Sequence, residues 1–163
     1  MNIDRIKNPS KLDIETYRSD IRRDLYLFAD YVREREVKRA HRHNSLSKGD
    51  SKRLAKLLSD PKAEAEVEED GYSTWVDFVD RFAHRLGLVH YDTEGVYAGY
   101  MSREPCYPDN YIEFDARACE KLSSMKLADQ EQHLLESLLN DNQGSSSEFY
   151  RPCFSGRLDG FNS

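Results

Sequence analysis

The densest group of side chains able to do chemistry in this chain is cationic. Arg33, Arg35, Lys38, Arg39, His41, Arg42 and His43 crowd one short stretch, and Lys48, Lys52, Arg53 and Lys56 follow at roughly helical spacing. Cations on adjoining faces can track a nucleic-acid backbone, because phosphate neutralisation supplies most sequence-independent affinity. Arg35, Lys38, Arg39, Arg42, Lys48, Lys52, Arg53 and Lys56 are therefore the candidate nucleic-acid contacts, with DNA the candidate polyanion. The alternative is a solvated face whose charge is offset by the acids between Glu64 and Asp70. Those acids could also cover the patch until a partner arrives.

Other constellations are weaker. His41-x-His43 is the one close histidine pair, and no Cys, Asp or Glu stands beside it at ligand spacing, so no metal site is expected. His84 lies four residues from Asp80, the spacing of an ordinary helical side-chain contact. Ser145-Ser146-Ser147 lacks the strand, turn and helix that expose a nucleophilic serine. Carboxylates are abundant but concentrated in an acidic run where nothing raises a pKa into a working range. No catalytic residue, cofactor or nucleotide is expected, and there is no Gly-x-x-x-x-Gly-Lys-Ser/Thr phosphate loop. Tyr91, Tyr97 and Tyr100, with Tyr107 and Tyr111 nearby, make a second candidate surface, this one for a protein partner. Half-buried strand packing explains the same tyrosines.

The chain has 163 residues, 33% charged and 38% hydrophobic, with a net charge of −6. That total hides a division. Residues 14–58 carry twelve Lys/Arg against seven Asp/Glu, a net of +5, whereas residues 59–80 carry one against eight, a net of −7. Residues 1–13 add +1 and residues 81–163 add −5. Cys106, Cys119 and Cys153 are an odd number without close spacing, read as free thiols of a reducing compartment. No apolar run nears the ~18 residues of a membrane span and the N-terminus lacks a signal core, so a soluble cytoplasmic protein without membrane contact is expected.

The elements that would position these residues follow from periodicity. Ile14, Tyr17, Ile21, Leu25, Phe28 and Val32 form a helical stripe running from about Ile14 to Arg39, with Asp13 as its cap. Ser47 caps a second helix with Asp50 at the capping-box position, and Asp60-Pro61 stops it. Lys62 to Gly71 reads as a solvated, mobile loop. Thr74 caps a third helix through Trp75, Phe78, Val79, Phe82 and Leu86, closed by Gly87. Leu88–Tyr91 and Val96–Tyr100 then alternate as the two strands of a β-hairpin. Arg103–Asn110 is a loop, and Tyr111–Phe114 a further short strand. Asp115 and Asp129 cap two more helices. The fold class is α+β, mostly α, with residues 1–141 as one domain and 142–163 as a polar and aromatic tail, docked or leading into a longer protein.

Three helices followed by a two-stranded wing is the order of a winged-helix module, here with additional C-terminal helices. Two stretches carry a resemblance. Ser45-Leu46-Ser47-Lys48-Gly49-Asp50-Ser51-Lys52-Arg53-Leu54-Ala55-Lys56-Leu57-Leu58 resembles the second-helix segment of the winged-helix regions accompanying bacterial and archaeal XPB-type DNA helicases. Trp75 to Val89, with its Leu86-Gly87-Leu88 ending, is similar to the helix preceding the wing in the same regions. In element order the likeness spans residues 25–140. It implies an accessory module in a DNA-remodelling context, without the motor. Groove reading by Trp75–Leu86 is disfavoured, because Asp77 and Asp80 are expected to face outward with Thr74, Arg81, His84 and Arg85. Asp92 and Glu94 at the wing tip add to the repulsion.

Overall fold

A computed structural model describes residues 20–99 and 103–140. Its elements are α1 (Ile21–Glu34), α2 (Lys48–Leu57), α3 (Ala63–Asp70), α4 (Thr74–Arg85), β1 (Val89–His90), β2 (Val96–Tyr97), β3 (Pro105–Cys106), β4 (Glu113–Phe114), α5 (Ala116–Ser124) and α6 (Leu127–Leu139). The fold is α+β and mostly helical.

The core forms where α1 and α4 lie together. Leu25, Phe28, Ala29 and Val32 of α1 and Val76, Val79, Phe82 and Ala83 of α4 are buried at helical spacing. Leu54, Leu58 and Val67 close one side of this cluster, and Leu88, Val89, Ile112 and Leu122 the other. Asp24 is buried among these apolar residues because its carboxylate is fully used. It accepts from the Ser59 N–H and hydroxyl at 2.9 and 2.6 Å and from the Trp75 indole at 2.7 Å, tying α1 to the end of α2 and the start of α4.

α1 ends five residues earlier than its basic sequence suggests. Arg35 is extended, and Val37 points into the core. The segment Val37–Arg39 is strand-like: Ile112 N–H donates to the Val37 carbonyl and Arg39 N–H to the Asn110 carbonyl, both at 2.9 Å. Burying Val37 and pairing the backbone outweigh continuation of a helix made of charged residues. Asp20 caps the described part of α1, accepting from Arg23 N–H; Asp13 and residues 14–19 lie outside the described residues.

Residues 62–70 are not a loop. Ala63 and Val67, one helical turn apart, are both fully buried, and Glu and Ala favour the helix between them. Gly71, left-handed at φ 82°, ends it. The Glu66 carboxylate accepts from Thr74 N–H at 2.8 Å and joins α3 to α4.

The expected hairpin pairs differently as well. β1 pairs antiparallel with β4, Val89 opposite Phe114, while β2 pairs with β3, Val96 opposite Cys106. Asp115 N–H donates to the Leu88 carbonyl, whereas Ile112 N–H donates to Val37. Successive N–H groups along a strand alternate in direction, so the odd spacing of Ile112 and Asp115 puts these partners on opposite edges. The strand from Asn110 to Asp115 is thus central, and the excursion between β1 and β4 carries its own ladder. Tyr107 N–H donates to the His41 carbonyl at 2.7 Å, adding a third segment to that ladder.

Helix caps are those of the sequence with small shifts. Ser47 caps α2, accepting from Asp50 N–H at 3.0 Å, and its hydroxyl donates to the Asp50 carboxylate at 2.6 Å. Asp115 caps α5, accepting from Ala118 N–H at 2.9 Å. Ser73, not Thr74, caps α4; Lys126 occupies the cap position of α6, and Asp129 lies within its first turn. Gly87 is left-handed at φ 73°. The tail 142–163 lies outside the described residues.

Candidate nucleic-acid interface

Three places matter: the root of the β1–β4 excursion, the face shared by α2 and α3, and the outer stripe of α4. At the root, Arg39 is 3% exposed. Its guanidinium donates to the Asp80 carboxylate at 2.5 Å, to the Asn44 side chain at 2.9 Å and to the Asn44 carbonyl, and lies 3.8 Å over the Tyr91 ring. Asn110 holds the neighbouring chain, donating to Asn44 Oδ1 at 2.7 Å and to the Asp92 carbonyl at 2.9 Å, and accepting from Asp92 N–H at 2.9 Å. Burial pushes the Asp80 carboxyl above its usual range, with the Arg39 charge opposing that shift. Burial also raises the Tyr91 hydroxyl.

Two expectations are corrected here. Arg39, a candidate phosphate contact by its sequence position, is an interior side chain with each of its three guanidinium nitrogens hydrogen-bonded. Asp80 was expected to face outward, and it is buried. One signal was present in the sequence: Asp80 lies four residues after Val76 and three before Ala83, on the apolar stripe itself. Tyr91 is a half-buried packing residue, its ring tilted against His84 at 4.2 Å between centroids, and not an exposed partner contact. His84 meets Tyr91 in place of the expected i,i+4 partner Asp80, and burial lowers its pKa below the usual imidazole value.

The remaining cations are exposed, and most meet acids. Lys52 pairs with Glu68, Lys56 with Glu64 at 3.5 Å, and Arg53 with Asp50 at 3.3 Å. Lys38 pairs with Asp109 at 3.0 Å and Arg42 with Glu104 at 3.2 Å. The paired carboxylates raise Lys38 and Lys52, while Lys52 lowers Glu68. Lys48 adds to the positive field at Glu68, and Arg35 lies 5.0 Å over the Tyr31 ring. Lys52 and Lys56 of α2 therefore face acids of α3, and Arg53 pairs within α2, while Lys38 faces Asp109 between β3 and β4 and Arg42 faces Glu104 just before β3. These are two charge-compensated surfaces. α3 is anchored by Ala63 and Val67, so its carboxylates are held in place and do not swing as a loop would.

On α4, Thr74, Asp77, Arg81 and Arg85 recur at helical spacing on the outer side, and Arg81 pairs with Asp77 at 3.0 Å. With Asp80 inside, this stripe is less acidic than the sequence suggests. Tyr97 and Val96 on β2 are 67% and 60% exposed, and Tyr111 is 46% exposed. Tyr107 is half-buried, its hydroxyl donating to the Thr93 carbonyl at 3.4 Å. Tyr100 lies outside the described residues. Among the described residues no helix is long and apolar enough to cross a membrane, and no group of three or more His, Cys, Asp or Glu could hold a metal ion. No family model, curated protein or solved structure matches the chain.

Proposed function

We propose that the chain is a non-enzymatic, winged-helix-like accessory module of a nucleic-acid-related assembly. The observation that carries this reading is the strand order. Val37–Arg39 follows α1, β1 follows α4, and the strand from Asn110 to Asp115 lies between them, an order that supports reading the chain between β1 and β4 as a wing. In such modules the helix before the wing and the wing itself meet the duplex.

Contact is with the phosphate backbone and weak. Lys48, Lys52 and Lys56 of α2 supply the charge, and α3 carboxylates compete with phosphate for two of them. Exposed ion pairs are marginal in water, so a polyanion can displace them.

The test is a titration of single- and double-stranded DNA at low and moderate salt, comparing the wild type with Glu64→Gln/Glu68→Gln. Weak binding at low salt that weakens further with added salt, and several-fold tighter binding by the variant, are the expected results. Absence of binding by both proteins at low salt overturns the nucleic-acid reading. A protein-interaction module is then favoured, for which Val96 and Tyr97, adjacent and largely exposed on β2, are the anchoring pair.

A further inference from the structure

We propose that His84, Tyr91 and Arg39 form a proton-operated latch at the root of the excursion between β1 and β4. Protonation of His84 releases Tyr91 and lets the root open while the helical core stays folded. The Arg39 guanidinium lies 3.8 Å from the centroid of the Tyr91 ring, and the His84 ring centroid lies 4.2 Å away, its plane tilted by 31°. Two flat groups at such distances cannot share one face of the ring, so Tyr91 sits between them. Both neighbours are fixed by other contacts. His84 stands in the last turn of α4, next to the buried Phe82 and Ala83. Arg39 is held by Asp80 at 2.5 Å and by Asn44. Tyr91 is the first residue after β1 and so the first of the excursion.

A neutral imidazole suits this setting and an imidazolium does not. One cation against the ring is attracted by its π electrons. A second on the opposite face is repelled by the first across a poorly solvating interior. The groups facing His84 are Arg39 from the segment after α1, His90 from β1 and Tyr91 itself. Asp80, one turn back on α4, spends its charge on Arg39. Burial is the largest influence and, with His90 and Arg39, disfavours the proton; a hydrogen bond from the imidazole to the Tyr91 backbone opposes them, and the closed latch holds His84 below the ordinary imidazole value. With Tyr91 withdrawn, water reaches the imidazole, and the carbonyl end of α4 welcomes a cation. The open arrangement thus binds the proton more tightly, so acid favours opening. Arg39 stays with Asp80 and Asn44. What yields is the Tyr91 packing and the bonds of its neighbour Asp92, whose N–H donates to Asn110 at 2.9 Å and whose carbonyl accepts from Asn44 and Asn110. Opening displaces Val96 and Tyr97, so the surface offered by β2 becomes pH-dependent. This inference does not rest on nucleic-acid binding.

The experiment follows amide exchange of the full chain at about pH 7.5 and 5.5, with and without low urea, each rate corrected for its intrinsic value. The Asp92 amide is expected to be less protected than those of Phe28 and Phe82 and insensitive to low urea, because opening the root exposes little surface. Its protection should fall several-fold from the higher to the lower pH, and His84→Gln should remove most of that fall. Asp92 protection that matches Phe28 and follows urea, no fall with pH in the wild type, or an equal fall in His84→Gln overturns the proposal. If circular dichroism shows that His84→Gln disturbs the fold, the wild type decides alone. Its Asp92 protection must begin to fall near the ordinary imidazole value and level off where the His84 ring resonances titrate. A fall that does not level off there overturns the proposal.

Discussion

Arg39 and Asp80 illustrate how strongly burial changes what a charged residue does. An exposed pair of this kind contributes little, whereas removing one member of a buried pair strands the other charge in a poorly solvating interior. Arg39→Met is expected to lower stability by about 3–5 kcal/mol in urea unfolding, and Arg39→Met/Asp80→Leu to recover much of that loss. His84, packed on Tyr91 nearby, gives a pH signature. Desolvation holds its folded pKa below the ordinary imidazole value, with His90 and Arg39 acting in the same direction. As pH falls through about 6.5, the unfolded chain takes up a proton that the folded protein resists, so stability drops on the acid side. Urea midpoints at about pH 7.5 and 5.5 should therefore differ more for the wild type than for His84→Gln.

Helix α3 separates packing from charge within one element. Val67 is fully buried, and Val67→Ala removes two methyl groups from a filled core, a loss of roughly 2–3 kcal/mol by thermal or chemical unfolding. Glu64→Gln/Glu68→Gln on the same helix should leave the midpoint almost unchanged while altering DNA affinity. Ser47→Ala, which removes the α2 cap, is expected to lower stability by about 1 kcal/mol. The two strongest helices, α1 and α4, are legible in the sequence because several large apolar residues recur on one face. α3 is not, because its buried edge is only Ala63 and Val67 within a run of glutamates. The exit of the chain from α1 is hidden for a related reason: Val37 is one apolar residue among charges, and its backbone partner Ile112, like the Asn110 that pairs with Arg39, is remote in sequence. For the candidate site, residue type marked Lys48, Lys52 and Lys56 correctly as exposed cations. It misjudged Arg39 and Asp80, since only the tertiary pairing shows that each compensates the other.

At the scale of the whole molecule, the helical core is built largely from contacts among α1, α2, α3 and α4, whereas the sheet depends on segments far apart in sequence. Each ladder is only two residue pairs long. The excursion between β1 and β4 is held by the Asn110 contacts, by Tyr107 against the chain at His41, and by close approach at Gly95. A Cβ placed there would stand 2.7 Å from the Tyr107 ring and 3.0 Å from Pro105. Gly95→Ala is therefore expected to loosen β2 and β3 while moving the global unfolding midpoint far less than Val67→Ala does. Solution spectra of the Tyr107 ring protons and a thermal melt would separate the two effects.

The brevity of those ladders has a dynamic consequence. Two residue pairs provide too few backbone bonds to make β2 and β3 as resistant to opening as α1 and α4, whose amides are covered by the core. Amide hydrogen exchange should resolve two tiers, with α1 and α4 exchanging only on global unfolding and the outer ladder by sub-global opening at much lower free energy. A partner that clasps the outer ladder would then slow exchange there without adding to the protection of α1.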